Sequence, residues 1–356
     1  MNGSPSAQAV LLTAALTGSV ILAPPVAATE QAVVTVTSTI QAAVDAAPPG
    51  STVVVPPGVY HESVSIHTDR LALRAAPGAV LDGTGLAGPD GLRVVAPSGA
   101  RLTGFELDGL TVQNFTRDGV FLRDVDTYRI TGTVTRNDLA YGIFPVRTNH
   151  GRVDHTTSSG SLDTGLYIGQ SVDIELDHNV ETGNTIGIDI EASDRVDLHH
   201  NLATRNAIGA VAQVVPGLSR TTTQDTVIDH NIFTGNNAPN PSTDPNDFLT
   251  RLPNGLGLLI VATDHTTTKH NIITDNQTAG MAVVQLPPDI AALDPRVNPY
   301  PTNLAVTNGI ITRNAFHPDP TNTGPAADIV WDGSGTGNCW SRNITGSTAP
   351  TTLPTC

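Results

Sequence analysis

Asp189 and Glu191 stand two positions apart in the segment GIDIE. Alternate residues of a β-strand point to the same face and lie about 6.6 Å apart. Two carboxyl groups at roughly 6.5–9.5 Å suit a general acid and a general base that flank a glycosidic bond, with room for a water molecule. The pair is therefore a candidate for acid–base chemistry, provided that this segment is a strand and both acids face outward.

The strand that carries the pair belongs to a repeat. A glycine opens each of several short apolar segments, and successive glycines are 22 or 23 residues apart: Gly119, Gly142, Gly165, Gly187 and Gly209. A period of 20–25 residues with strand-type composition is typical of a coiled stack. Each coil then places its outward residues about 4.8 Å from those of the next coil.

The repeat divides the strand residues into two columns. If the residue after each glycine points inward, the inward column is Ile143, Leu166, Ile188, Ala210 and Leu258. The outward column then places Tyr167 and Gly169 beside the acids, where a tyrosine next to a bare glycine predicts a platform for a sugar ring. The predicted catalytic residues are Asp189, Glu191, Arg147 and Tyr167, and the predicted substrate-binding residues are Arg123, Phe144, Gln170, Gln213 and Arg296. The alternative is that these are ordinary solvated positions.

Histidines recur at the turns, as in Asp177-His178-Asn179 and His199-His200-Asn201. Asn tolerates the left-handed turn conformation, and stacked Asn side chains hydrogen-bond along the coil axis. His178, His200, His230 and His270 repeat because the coil repeats. A structural role is therefore predicted for them in preference to a metal cluster.

Three insertions interrupt the repeat at residues 214–225, 236–253 and 286–301, all rich in Pro, Asn, Asp and Thr. Loops of this length inside a regular stack are more often functional than accidental. Two of them leave the end of the glycine-led strand, after Gln213 and Gln285, and one precedes its beginning. We therefore expect all three to wall a groove on the same strand column.

The composition restricts the partners and the compartment. The chain of 356 residues has a net charge of −15 and a single lysine, Lys269, which argues against nucleic acid and anionic membranes as partners. Residues 1–28 read as a signal peptide, with a short apolar region and a Val26-Ala27-Ala28 cleavage site. Cys339 and Cys356 then predict one disulfide in a secreted, extracellular or cell-surface protein, which we expect to be a monomer.

The first coils carry a family resemblance. Residues 39–60, TIQAAVDAAPPGSTVVVPPGVY, resemble the N-terminal cap of pectate-lyase-like right-handed parallel β-helix proteins. Segments YGIFPV, SLDTGLYIGQS and GIDIEAS, with DPRVNPYP at 294–301, resemble a bacterial family of exported parallel β-helix repeat proteins. Within residues 39–60, the apolar residues Ile40, Ala43, Val44 and Ala47 fall on one face of a short helix over Ile40–Ala47. We expect this helix to cap a stack of about ten coils.

A second resemblance bears on the chemistry. YGIFPVR at 141–147 is similar to the YGFDPHD motif of mannuronan C5-epimerases, whose Asp and His are catalytic. Phe144 and Val146 occupy those two positions here, and neither can transfer a proton. Calcium-dependent β-helix lyases are similar in fold; that similarity implies Arg147 as base and a calcium ion on Asp163, Asp189 and Glu191.

These observations together predict an all-β, single-stranded right-handed parallel β-helix with a short N-terminal capping helix. The predicted segments are a signal peptide (1–28), a linker and capping helix (29–49), the β-helix (50–345) and a disulfide-tied tail (346–356). The predicted function is a secreted carbohydrate-active enzyme, a polysaccharide lyase or glycoside hydrolase, acting on a carbohydrate or another small or polymeric substrate. The alternatives are a non-catalytic glycan-binding or surface structural protein and an isomerase or cyclase.

Overall fold

The computed structural model describes residues 31–97, 99–242 and 248–356, with only the backbone of Phe248. The predicted signal peptide lies outside these residues. The described chain forms three parallel sheets of 12, 11 and 11 strands, and each coil contributes one strand to each sheet in turn. This arrangement confirms the predicted right-handed parallel β-helix, with slightly more coils than the ten expected.

Sheet A is the 12-stranded sheet, in the order Val33–Thr35, Thr52–Val55, Ala72–Ala75, Leu102–Asp108, Val125–Thr131, Asn149–Asp154, Val172–Asp177, Asp194–His199, Val227–Asp229, Thr267–Lys269, Ala305–Thr307 and Cys339–Ser341. Sheet B consists of Gly58–Tyr60, Ala79–Asp82, Thr111–Gln113, Val134–Arg136, Thr157–Ser159, Val180–Thr182, Leu202–Thr204, Ile232–Thr234, Ile272–Thr274, Ile310–Thr312 and Ile344–Thr345.

Sheet C consists of Val64–Ile66, Leu92–Val95, Val120–Arg123, Ile143–Val146, Thr164–Gly169, Ile186–Glu191, Ile208–Gln213, Leu256–Val261, Ala279–Val284, Ile329–Trp331 and Thr348–Ala349. The described helices are Ile40–Ala46, the 3₁₀ turn Phe248–Arg251 and Pro288–Ala291. Two predicted boundaries differ from this structure. Val33–Thr35 already pairs in sheet A within the predicted linker, and Thr348–Ala349 extends sheet C into the predicted tail.

The helix Ile40–Ala46 covers the first coil, as predicted. The Thr39 hydroxyl accepts a hydrogen bond from the Ala42 amide at 3.1 Å, which is the usual way to satisfy a free donor at a helix N-terminus. The Glu62 carboxylate accepts two more, from the amides of Ile40 and Gln41. Because Ile40, Ala43 and Val44 are buried, the helix shields the open apolar end of the stack.

Glycine and asparagine columns hold the coils in register. A Cβ on Gly187 would lie 2.5 Å from the Gly209 carbonyl oxygen and 2.9 Å from the Asn206 amide nitrogen, so the close approach of successive coils requires glycine there. The Asn206 side chain in turn bonds to Asn236 and accepts from the Asn184 amide. These ladders satisfy the buried backbone groups that the turns leave unpaired.

The hydrophobic core fills the space between the three sheets. The predicted inward column is confirmed, because Ile143, Leu166, Ile188, Ala210 and Leu258 are all at most 1% exposed and belong to one core cluster. A second apolar cluster lies on the outer face of sheet C, beneath the insertions. Residues there that a bare β-helix would leave exposed are therefore buried.

The C-terminal end is closed by aromatic and covalent contacts. Trp340 is buried, with its ring centroid 5.2 Å from that of Trp331, and the predicted disulfide joins Cys339 to Cys356. Among the described residues, no helix has both the length and the apolar character needed to cross a bilayer.

Candidate functional site

The site lies on the outer face of sheet C, where three neighbouring strands carry polar side chains. The register places Tyr167 beside Asp189 and Gly169 beside Glu191, and on the other side Glu191 beside Gln213. The parallel pairing thus brings together residues that are 22 positions apart in the sequence. The predicted adjacency of Tyr167, Gly169 and the two acids is present.

A cavity of about 300 Å³ stands above these strands. Its lining combines two tyrosines, three acids and an amide with apolar side chains from the insertions: Tyr141, Asp163, Tyr167, Asp189, Glu191, Gln213, Val214, Val215, Pro216, Leu249, Leu286, Ile290 and Leu293. All three insertions contribute to the wall, as predicted. We call this cavity the acidic pocket.

Asp189 lies at the floor of the acidic pocket and is 4% exposed. Gln213 Nε2 donates to both of its carboxylate oxygens, at 3.2 and 3.0 Å. Burial raises the pKa of Asp189 well above its ordinary value, and the charges of Glu191 and Asp163 raise it further, against the opposing hydrogen bond from Gln213. Asp189 therefore retains its proton where an exposed aspartate is ionised.

Glu191 has a different environment two residues along the strand. Burial raises its pKa to about 7; the Tyr167 hydrogen bond opposes this rise, and the charge of Asp163 adds to it. Tyr167 Oη donates to Glu191 Oε1 at 2.9 Å. Because this donor favours the ionised form, Glu191 gives up its proton more readily than Asp189 does. The two acids thus differ in the way that an acid–base pair requires.

The hydrogen bonds cross the strands diagonally. Tyr167 is paired with Asp189 in backbone register but bonds to Glu191, whereas Gln213 is paired with Glu191 but bonds to Asp189. The Tyr167 ring reaches Glu191 by lying over Gly169, where an added Cβ would come within 2.4 Å of the ring. Gly169 is therefore needed for the close approach of Tyr167.

The aromatic residues form a packed wall. The Tyr167 ring is 4.7 Å from Phe144 in an edge-to-face contact and 5.2 Å from Tyr141, and Tyr167 is only 5% exposed. The open sugar platform predicted from Tyr167 and Gly169 is consequently absent, because the ring itself occupies the space above the glycine. Phe144, predicted to bind substrate, is half-buried in this wall.

Tyr141 and Asp163 form a second tyrosine–carboxyl pair in the acidic pocket. Burial raises the pKa of Tyr141, and both the charge of Asp163 and its hydrogen bond to the phenol add to the rise. The sequence analysis did not include Tyr141 among the site residues. A signal was available: the residue before the glycine is Tyr141 in this coil, but Thr164, Ile186 and Ile208 in the next three.

The predicted arginines lie elsewhere. Arg147 is ion-paired with Asp124 and does not line the acidic pocket. Arg123 borders a shallower neighbouring cavity of about 280 Å³ with Phe121 and Phe144. The structure therefore separates both arginines from the two carboxyl groups.

Gln170 and Arg296 hold the insertions in place. The Gln170 side-chain oxygen accepts from the amide and hydroxyl of Ser219. Arg296 pairs with Asp294, whose carboxylate also accepts from the Gly217 amide. Both residues connect segments that cover the acidic pocket, although neither lines it.

The predicted calcium ligands share the pocket without forming a compact set. Asp163, Asp189 and Glu191 all line it. Within the described ranges, the acid and histidine groups whose ligand atoms lie within 4.8 Å of one another are instead Asp229, His230, His270 and Glu175, Asp177, His199. A calcium ion in the acidic pocket would need its three carboxylates to move closer together.

A second cavity of about 320 Å³ continues along sheet C toward the C-terminal coils. Most of its lining is aliphatic, including Leu252, Leu259, Val261, Ala282 and Val330. The Thr278 hydroxyl at its edge already donates to the Asn254 carbonyl and accepts from the Asp319 amide. A ligand in this apolar cavity would therefore make mainly apolar contacts and few hydrogen bonds.

Known proteins share this architecture. Residues 88–345 match the family model described as periplasmic copper-binding protein (NosD). A search of the curated proteins gives no significant match. Among solved structures, the chain is similar to the A-module of the Azotobacter vinelandii mannuronan C-5 epimerase AlgE4, at a TM-score of 0.65 and 18% identity over 86% of this chain and 84% of that one.

Two further structures have the same fold at lower identity. The complex of XylC with xylose has a TM-score of 0.54 and 11% identity, over 82% of this chain and 71% of that chain. PfbA, a surface adhesin of Streptococcus pneumoniae, has a TM-score of 0.52 and 11% identity, over 87% of each chain. At these identities the likeness establishes the parallel β-helix alone.

Proposed function

We propose that this chain, which belongs to the NosD family, is an exported enzyme that hydrolyses glycosidic bonds in the acidic pocket. The observation that carries the proposal is the pair of carboxyl groups in the acidic pocket, the buried Asp189 and the half-buried Glu191. Each is held by a different hydrogen-bond donor, and the pKa of each is raised. The family's periplasmic description, the predicted signal peptide and the disulfide support export.

The pair suits hydrolysis with inversion. Asp189, the acid that keeps its proton, donates it to the glycosidic oxygen as the bond from that oxygen to the anomeric carbon breaks. Glu191 takes a proton from the water that attacks the anomeric carbon. Two positions along one strand correspond to about 6.6 Å, within the roughly 6.5–9.5 Å that leaves room for this water. Tyr167 holds Oε1 of Glu191 and so directs Oε2 toward the water.

The charge of the pocket favours a neutral sugar over a uronate. No Lys or Arg is among the described residues that line it, while three carboxyl groups are. A uronate would meet repulsion there, and a lyase reaction needs a cation to neutralise that carboxylate. Arg147, the base that a lyase would use, is paired with Asp124 instead. We therefore place hydrolysis ahead of a calcium-dependent lyase reaction.

The neighbouring apolar cavity supports a substrate with an apolar part. Its aliphatic lining lacks the aromatic rings that usually stack on sugars, and it continues the same strand column. A glycoside with its sugar at Asp189 and Glu191 would place an alkyl or terpenoid group in this cavity, with a favourable transfer of about 0.8 kcal/mol per buried CH₂.

The direct test uses Asp189→Asn and Glu191→Gln on alkyl and aryl glycosides and on neutral polysaccharides. We expect product from the wild type, with the anomer assigned by NMR as inverted, and a loss of about 10²–10⁴-fold in rate in each variant. Glu106→Gln, at an exposed acid paired with Arg74 on sheet A, is the matched control and should keep full activity.

Two outcomes would contradict this function. Full activity in both pocket variants would exclude the site. Glycan binding by the wild type without any product would identify the non-catalytic alternative. Removal of calcium with a chelator separates the lyase reaction from hydrolysis, since only the former requires the ion. Activity that disappears with calcium, together with an unsaturated product, would favour the lyase.

A further inference from the structure

A cluster of three arginines lies on the outer face of sheet C, on the N-terminal side of the acidic pocket. Arg93, Arg117 and Arg123 all line the shallower cavity of about 280 Å³, which we call the arginine groove. Tyr141 lines both this groove and the acidic pocket. The two cavities therefore adjoin along one strand column.

The Phe121 ring brings the three arginines together. Their guanidinium carbons lie 4.6, 6.0 and 6.0 Å from its centroid, in the order Arg93, Arg117 and Arg123. A guanidinium group within about 6 Å of an aromatic ring is attracted by the ring's electrons. Because Phe121 is only 6% exposed, this ring positions the arginines and does not itself offer a surface for a sugar to stack on.

The positive charges of this cluster exceed the negative ones. The buried carboxylate of Asp90 accepts hydrogen bonds from Arg93 and Arg117, and the buried carboxylate of Asp118 accepts one from Arg117. Three arginines and two aspartates leave an excess of one positive charge. Burial and the charge of Asp90 raise the pKa of Asp118 to about 7, against the opposing effect of Arg117. The excess therefore grows as the pH falls below neutrality.

Arg123 has a donor without an acceptor. Its Nε is shielded from solvent and has no hydrogen-bond partner in the described part of the chain. An Asp124 carboxylate oxygen lies 3.9 Å from this Nε, too far for a hydrogen bond, and the same carboxylate already accepts from Arg147. A shielded donor without a partner costs free energy. The geometry thus points to an acceptor from outside the chain.

We infer that the arginine groove binds an anionic substituent of a sugar chain, a sulfate ester or a carboxylate. A guanidinium group presents its N–H donors in a planar fork that fits the oxygens of either anion. Each of the three arginine side chains is partly exposed, so N–H groups remain accessible to a ligand. The excess of one positive charge matches one monoanionic group, which the carboxyl groups of the acidic pocket would repel.

The place of this anion along the substrate rests on the proposed function. Phe121, Phe144, Tyr167 and Asp189 are the outward residues of four successive strands. At about 4.8 Å per strand, the arginine groove lies about 14 Å from Asp189, and the apolar cavity lies on the opposite side of the acidic pocket. The substrate therefore carries its anionic sugar on one side of the hydrolysed bond and its apolar group on the other.

The test is calorimetric titration of the full chain with a neutral galactan oligosaccharide, its sulfated form and an oligogalacturonate of the same length. Asp189→Asn is titrated beside the wild type, so that hydrolysis does not affect the measured affinity. We expect at least one of the two anionic ligands to bind about 10-fold more tightly than the neutral one at low salt. This advantage should decrease at high salt.

Two variants locate the anion. Arg123→Gln removes a guanidinium group that donates no hydrogen bond within the described residues, so the fold should persist. Arg93→Gln leaves Asp90 paired with Arg117. Each variant should weaken binding of the anionic ligand about 10-fold and leave binding of the neutral one unchanged.

Arg74→Gln is the matched control, because Arg74 is an exposed arginine on sheet A that pairs with Glu106. It should leave every affinity unchanged. Tighter binding of the sulfated ligand or of the oligogalacturonate supports the site and identifies its anion. Equal binding of neutral and anionic ligands, or an unchanged affinity in both groove variants, would overturn the site. An equal loss in Arg74→Gln would overturn it as well, by indicating non-specific attraction to surface arginines.

The arginine groove and the proposed hydrolysis can fail separately. Binding of an anionic ligand that depends on Arg123, without any product from the wild type, would support the groove and contradict hydrolysis. Hydrolysis of neutral glycosides by a wild type that binds anionic ligands no more tightly would overturn the groove and leave the catalytic pair in place.

Discussion

The outer faces of sheets A and C carry the same residue type in different electrostatic settings. On sheet A, Asp126 and Asp173 pair with Arg101 and Arg195, and these hydrogen bonds hold the pKa of each aspartate below its usual range. On sheet C, none of the arginines in the described part of the chain pairs with Asp189, and burial raises the pKa of this aspartate. Whether an outward aspartate in a β-helix is structural or reactive therefore depends on whether an arginine pairs with it and on whether neighbouring segments bury it.

Sheet A should supply the largest effect on stability. Asp154 is fully buried and accepts from Arg129 through both oxygens and from Thr131. We expect Asp154→Asn to lower the free energy of unfolding by about 2 kcal/mol at pH 7, since a buried carboxylate loses its charge-assisted hydrogen bonds from the exposed Arg129. Urea denaturation followed by circular dichroism measures it, and a change within error would contradict the distinction between the sheets.

The pH dependence of this effect has a definite sign. Burial alone would raise the pKa of Asp154, but the hydrogen bonds from Arg129, His155 and Thr131 outweigh burial and lower it. Its stabilisation is therefore complete above the unfolded pKa of about 3.9 and is lost as the pH falls further. The stability difference between the wild type and Asp154→Asn should therefore shrink as the pH falls below about 4, and vanish only below the folded-state pKa of Asp154.

Removing a carboxyl group from the acidic pocket should change the free energy of unfolding in the opposite direction. Because the pKa of Asp189 is raised, the wild type loses stability as the pH rises from about 4 toward the folded pKa. We expect Asp189→Asn to be more stable than the wild type by roughly 1 kcal/mol at pH 8 and about equal at pH 4. Urea midpoints at the two pH values measure this difference. Destabilisation at pH 8 would mean that Asp189 is structural in the way that Asp154 is.

Removal of the Tyr167 hydroxyl should change the pKa of Glu191. Tyr167→Phe removes the hydroxyl that donates to Glu191 Oε1 and favours the ionised carboxylate. We expect the lower limb of the pH–rate profile, which reports ionisation of Glu191 near pH 7, to move upward by about one unit. Tyr128→Phe, at a buried tyrosine in sheet A, is the control and should leave that limb in place. An unmoved limb in Tyr167→Phe would exclude Glu191 as the base.

Exposed pairs on sheet A should give the smallest effect. Arg195 is exposed and Asp173 is half-exposed, and the two side chains pair at 2.6 Å. We expect Asp173→Asn to change stability by at most about 0.5 kcal/mol, and less at high salt, because surface ion pairs contribute little. Thermal denaturation at low and high salt measures the change. A loss as large as that of Asp154→Asn would show that burial does not explain the ranking.

The repeat made most of the fold and part of the site predictable. Glycines at intervals of 22 or 23 residues set the coil length, so Ile188 could be placed inside and Asp189 outside from the sequence. The same period placed Tyr167 next to the acids. Parallel pairing repeats one register from coil to coil, which makes such adjacency a local property.

The repeat did not predict the directions of the side chains in the site. Register alone pairs Tyr167 with Asp189, yet its hydroxyl reaches Glu191, because the ring lies along the strand over Gly169. Arg147 was predicted to act with the acids, but its left-handed backbone turns it to Asp124. Tyr141 was overlooked because it precedes the strand. Side-chain direction depends on packing that a repeat does not specify.

The amino-acid pattern alone specifies the coil length, the inward and outward columns and the identity of the outward residues, because a period of two within strands and of about 22 between coils is local information. The tertiary structure decided which outward residues are reactive. Insertions contributing Leu249, Leu286 and Ile290 fold back over Asp189 and Glu191 and remove water from them. Burial changes a carboxyl group's pKa through all the atoms around it, and those atoms come from segments up to about a hundred residues away.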